Sequence, residues 1–90
     1  MRVKFFAYIR DYTGCAETDV PAAPTIGDLA RALGERFGPK LMEKMLAADG
    51  ELGPEIIIMI NGRHVVHMGG VSAPLKDDDV VQIFPLVAGG

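Results

Sequence analysis

Lys76-Asp77-Asp78-Asp79-Val80-Val81-Gln82-Ile83-Phe84-Pro85-Leu86-Val87-Ala88-Gly89-Gly90 is the stretch on which the reading of this chain turns. A polar acidic turn leads into Val80 to Phe84, a β-rich run that predicts the last strand. Pro85 has no N–H to donate, so it is expected to end the ladder. From Leu86 nothing favours helix or a packed return. Six residues from Pro85 reach roughly 20 Å when extended. Glycines take backbone angles that other residues cannot, and they enter a channel too narrow for side chains. If Gly90 is the native end, its carboxylate is the reactive group, and the rest of the domain is the handle that delivers it.

The first strand is the partner of this last one. Val3, Phe5, Ala7 and Ile9 alternate with Arg2, Lys4, Phe6, Tyr8 and Arg10, the period of two of a strand with one buried face. Asp11 to Gly14 carries turn chemistry, and Ala16 to Val20 predicts a second strand, so the chain opens on a hairpin. Thr25 is the expected N-cap of a helix, with Asp28 supplying the other half of a capping box. Ile26, Leu29, Ala30, Leu33 and Phe37 then form one apolar stripe. Gly38-Pro39 stops that helix, and Leu41, Met42, Met45 and Leu46 predict a further short helical segment before Asp49-Gly50. Ile56 to Ile60 is a central-strand run, followed by the hairpin signal Asn61-Gly62. His64 to His67 is expected as a short strand, and Gly69-Gly70 and Pro74 as irregular chain.

This order predicts an α+β fold, a mixed sheet packed on one main helix in a β-grasp (ubiquitin-like) arrangement. The first and last strands would lie side by side and parallel in mid-sheet. Residues 1–85 form the domain and 86–90 a flexible tail.

Composition bounds the function. Ninety residues make one domain, and a hydrophobic content of 49% is ample for a core. A net charge of −3 without a basic stripe argues against nucleic acid, and no polybasic segment points to a membrane surface. Cys15 is the only cysteine, which excludes an internal disulfide and a cysteine zinc site. With no signal-like leader and no long apolar run, the expected location is cytoplasmic.

The residues of the tail carry a resemblance. Phe84-Pro85-Leu86-Val87-Ala88-Gly89-Gly90, the acidic turn Asp77 to Asp79 and the strand end Ile60-Asn61-Gly62 resemble the molybdopterin synthase small-subunit family, within the ubiquitin-like β-grasp sulfur carriers. Leu86 stands where that family often has a second Pro, and Pro39 to Pro54 is longer than in compact members. The resemblance implies a co-substrate rather than an enzyme. Gly90 would be adenylated by a ubiquitin-activating-type adenylyltransferase that uses ATP, then thiocarboxylated. The tail residues Leu86, Val87, Ala88 and Gly89 would then enter the molybdopterin synthase large subunit, and sulfur would pass to precursor Z in molybdenum cofactor biosynthesis. No bound cofactor or metal is implied. Alternatives are a carrier for thiamine or tRNA thiolation, a ubiquitin-like modifier conjugated through Gly90, and a β-grasp interaction module with an inert tail.

Beside the tail, the alternation predicts an outward apolar patch for partner binding: Phe6, Tyr8, Met59, Phe84 and Pro85, with Ile57, Val80 and Gln82. The Pro39–Pro54 segment is the competing cover for that patch. His64 and His67 are read as surface residues, because their spacing does not place them on one strand face. Cys15 is read as a packed or turn cysteine, Asp77 to Asp79 as a solvated turn, and Arg10 and Arg63 as surface cations open to a partner.

Overall fold

The computed structural model describes residues 1–86. Its strands are β1 (Arg2–Phe5), β2 (Glu17–Asp19), β3 (Ile56–Ile60), β4 (Arg63–His64) and β5 (Val80–Pro85). They form one sheet in the order β2-β1-β5-β3-β4. β1 and β5 run parallel, with Val3 opposite Val81 and Phe5 opposite Ile83, and the other pairings are antiparallel. The helices are α1 (Ile9–Thr13), α2 (Ile26–Phe37) and α3 (Pro39–Met45). This is the expected β-grasp sheet and main helix, with the first and last strands paired at its centre.

Alternation divides the sheet into two faces. Val3, Phe5, Ile56, Ile58, Ile60, Val81 and Ile83 are buried in one cluster with Ile26, Leu29, Ala30 and Leu33 of α2. Each such side chain contributes about 1.5–3 kcal/mol by leaving water, so this face holds the fold together. Thr25 caps α2 as expected, its Oγ1 accepting the Asp28 N–H at 3.3 Å. The reciprocal half differs from a capping box. The Asp28 carboxylate instead accepts the Thr25 hydroxyl at 2.8 Å and an Arg31 N–H at 2.8 Å.

The first strand is shorter than the alternation predicts. Ala7 has φ +52°, which no strand residue adopts, and the chain turns into α1 through Ile9 N–H to the Phe6 carbonyl and Arg10 N–H to the Ala7 carbonyl. Ala7 is exposed rather than facing the helix. Ile9 still reaches the core, from the first position of α1 rather than from a strand. Asp11 to Gly14 is therefore helix and its Gly14 C-cap, not a hairpin turn.

The segment after Gly38 lies beside α2, away from the outer sheet face. Leu41 and Met45 enter the core, and Met42 meets Gly34 so closely that a Cβ there would stand 2.5 Å from Met42 Cε. The expected strand over His64–His67 reduces to Arg63–His64, followed by a 3₁₀ turn at Val65–Met68. In that turn positions three apart eclipse, so His64 and His67 meet edge to face at 6.1 Å, against the expectation from strand spacing. Asp77 and Asp78 are exposed as a solvated turn, but Asp79 is only 9% exposed. It accepts the Lys76 N–H at 2.8 Å and an Asn61 side-chain N–H at 2.9 Å, tying the Asn61-Gly62 turn to the start of β5.

Two glycines test this packing. A Cβ on Gly53 would collide with the Lys44 backbone carbonyl, which cannot swing away, whereas one on Gly34 meets the Met42 side chain, whose Cε can rotate but whose Cβ at 2.9 Å requires α3 to shift. Gly53→Ala is expected to cost about 3 kcal/mol in urea unfolding, and Gly34→Ala less than that. Asp28 gives a pH signature. Hydrogen bonds from Arg31, then from Thr25, hold its carboxyl below the ordinary 3.8. Its contribution is therefore complete above that value and is lost as pH falls through the lower folded value. The stability gap between the wild type and Asp28→Asn should close as pH drops below about 4 in denaturation curves.

Candidate functional site: the open sheet face and the tail exit

β5 is hydrogen-bonded on both sides, and its outward residues Val80, Gln82 and Phe84 run down the middle of the uncovered face. Gln82 pairs with Met59 and Phe84 with Ile57. Phe6 lies just past β1, held by its N–H to the Ile83 carbonyl at 3.0 Å. Its ring stacks on Phe84 with centroids 4.3 Å apart and planes 12° off parallel. Phe6, Ile57, Met59, Val80 and Phe84 are all partly exposed. The sheet thus brings Phe6, Met59 and Phe84 together as the alternation predicts, and α3 does not cover them.

Tyr8 departs from that group. As the residue preceding α1 it turns toward the helices, its ring 6.3 Å from Tyr12 and 5.7 Å from Lys44 Nζ. Pro85 also departs from expectation. It is buried and is the last residue of β5, opposite Ile56, rather than the residue that stops the ladder. Leu86 N–H bonds the Glu55 carbonyl on the β3 side at 2.8 Å. By alternation the Pro85 nitrogen points to the other side, beyond the end of β1, where no N–H is required. Proline is tolerated there because its neighbour has already left the sheet. Leu86, 49% exposed, is the last described residue. Val87, Ala88, Gly89 and Gly90 lie outside the described residues.

Charged groups frame the exit. Glu55, whose carbonyl holds Leu86, also accepts Lys44 Nζ at 2.9 Å, and that hydrogen bond raises the Lys44 pKa above its usual value. A cleft of about 480 Å³ lies alongside, lined by Tyr12, Lys40, Glu43, Lys44, Pro54 and Glu55. Its lining holds no Ser, Cys or His. On the other flank Arg10 Nε donates to the Phe5 carbonyl at 2.8 Å, with the guanidinium 6.0 Å from the Phe6 ring centre. The Lys44–Glu55 pair spans a loop of irregular chain, so sequence spacing gave no signal for it. Arg10 was visible only as a surface cation.

The Phe6–Phe84 stack is measurable by itself. In a double-mutant cycle of Phe6→Ala and Phe84→Ala, a coupling energy of about 0.5–1.5 kcal/mol is expected from chemical unfolding.

Comparison with known proteins agrees with this geometry. The ThiS family profile matches residues 3–90. Small archaeal modifier protein 3 of Haloferax volcanii is 36% identical over 92 residues, covering 100% of this chain and 98% of the relative. The solution structure of small archaeal modifier protein 1 from Methanosarcina acetivorans superposes with TM-score 0.81 at 31% identity, over 99% of this chain and 94% of that one. A chain of the Amycolatopsis orientalis BexX/CysO complex gives TM-score 0.84 at 26% identity, over 99% and 98%. With a β-grasp sheet, an uncovered aromatic face and a profile match over nearly its whole length, the chain belongs to the ThiS family of ubiquitin-like sulfur carriers.

Proposed function

We propose that this protein is a sulfur carrier that works through the carboxylate of Gly90, as a co-substrate of other enzymes. The observation that carries the reading is the way β5 ends. Within a ThiS-family chain, the last strand lies mid-sheet, passes the Phe6–Phe84 stack and leaves the sheet at Leu86, four residues before Gly90. A carboxylate at neutral pH is a poor electrophile. Its oxygen attacks the α-phosphorus of ATP in the site of a ubiquitin-activating-type adenylyltransferase, and pyrophosphate leaves. Hydrosulfide from a sulfur donor then adds to the acyl carbon and expels AMP, leaving, after loss of its proton, a thiocarboxylate. Holding the acyl end against the phosphate is a positioning problem, and positioning supplies up to about 7–11 kcal/mol of a barrier. Gly89 and Gly90 clear the channel, Leu86, Val87 and Ala88 thread it, and Phe84, Phe6 and Met59 bind the partner's surface.

The acceptor assigned from the tail sequence Phe84 to Gly90 is precursor Z, with the molybdopterin synthase large subunit as the receiving enzyme. The match to small archaeal modifier proteins favours a second reading, in which the activated Gly90 passes to a lysine amine of another protein.

Intact-mass measurement after incubation with ATP, the cognate adenylyltransferase and a sulfur donor should show the gain of one O-to-S exchange. Deleting Gly90 should abolish that gain while leaving the unfolding midpoint unchanged, because the core lies elsewhere. Adducts linked through lysine in cells would favour the modifier reading, and neither product would sink both. Phe84→Ser should weaken binding to the adenylyltransferase by about tenfold or more, as removal of a central aromatic does at an interface.

A further inference from the structure

The root of the tail is held from α3 as well as from the sheet. β3 begins at Ile56, so Glu55, whose carbonyl anchors Leu86, stands in the turn before the strand. Three contacts tie that turn to the last residues of α3. The Gly53 N–H donates to the Met45 carbonyl at 2.9 Å. Gly53 lies so close to the Lys44 carbonyl that a Cβ there would collide with its oxygen. Lys44 Nζ donates to the Glu55 carboxylate at 2.9 Å. Met45 is fully buried, so the turn is tied to the core through α3. Lys44 is no ordinary surface cation. Its side chain is 24% exposed against 64% for Glu55, and the Tyr8 ring lies 5.7 Å from its Nζ. That contact already restricts the long side chain, so closing the pair with Glu55 costs less order than a fully exposed pair would. The other ion pairs among the described residues lie elsewhere, Arg2 with Glu17 and Asp19 between β1 and β2, and Arg31 with Asp28 within α2.

We infer that Lys44 is a positioning residue for the tail. Through Glu55 it fixes the point at which Leu86 leaves the sheet, and with it the root from which Val87 to Gly90 reach into the activating enzyme. A short tether with a fixed root searches less space than one whose root swings, so its end meets the reacting phosphate more often. Lys44 acts through Glu55 and stands apart from the outward residues Phe6, Met59 and Phe84. The consequence for delivery rests on the tail-delivery reading, whereas the anchoring of Leu86 does not.

The test uses the full chain with Lys44→Met, which keeps an unbranched stem but removes the ammonium, and Lys44→Arg, which restores a donor to Glu55. Glu55 is exposed enough for water to take its carboxylate, so neither variant leaves a buried charge unpaired. Amide hydrogen exchange followed by NMR should speed up about two- to fivefold at Leu86 in Lys44→Met, the scale of one partly exposed ion pair. The Phe6 amide, held by the Ile83 carbonyl on the other side of β5, should keep its wild-type rate. Pyrophosphate exchange with ATP and the cognate adenylyltransferase should show kcat lowered by a similar factor at unchanged KM, because the outer face is intact. Lys44→Arg should stay near wild type in both readouts. An unchanged Leu86 rate, an equal rise at Phe6, or a Lys44→Arg chain that behaves as Lys44→Met overturns the assignment. So does a loosened Leu86 with kcat unchanged. Failure of tail delivery shows separately. A wild-type chain that gains no sulfur overturns that reading, and the Leu86 rates still decide whether Lys44 anchors the exit.

Discussion

The parallel pairing of β1 with β5 is the constraint on which everything else hangs. It joins Arg2–Phe5 to Val80–Ile83 across most of the chain, and a parallel pair cannot be closed by a tight turn. The crossover must run over one face, and α2 fills it, burying the inward alternation of three strands at once. The other face is left open by the same geometry, since the chain has one long helix to spend and α3 packs beside α2 rather than across the sheet. The uncovered face is therefore a by-product of topology, and the Phe6–Phe84 stack lies on it.

Much of this was legible because each element carried its own signal. The Ile56–Ile60 run, the Asn61-Gly62 turn and the α2 stripe are local patterns, and each element formed where its residues placed it. The misreadings share a cause. Val3 to Ile9 obeys a period of two, but the turn at Ala7 ends the strand at Phe5 and brings Ile9 to the core from α1. Asp79 reads as one of three aspartates in a polar turn. Its burial depends on Asn61, eighteen residues away in sequence. Pro85 reads as a stop, yet what matters is which neighbouring strand its nitrogen faces.

At the candidate site, the alternation placed Phe6, Phe84 and Met59 on the outer face, where the structure has them. It misplaced Tyr8, whose direction follows from the turn at Ala7. It could not see that Glu55 joins two contacts, a carbonyl to Leu86 and a carboxylate to Lys44. Nor could it see that Arg10 is anchored. Both facts depend on where two distant segments meet, which no spacing rule encodes.

The position of β5 has one more consequence. In most sheets the strand that carries a binding surface can fray at an edge while the rest survives. Here the strand that bears Phe84 and leads to Leu86 is bonded on both sides and sits at the middle of the core. Losing it would mean losing the domain, so local opening of that strand and global unfolding become one event. In the proposed reading, presentation of Phe84 to a partner therefore requires an intact domain, because the strand that bears it does not open alone.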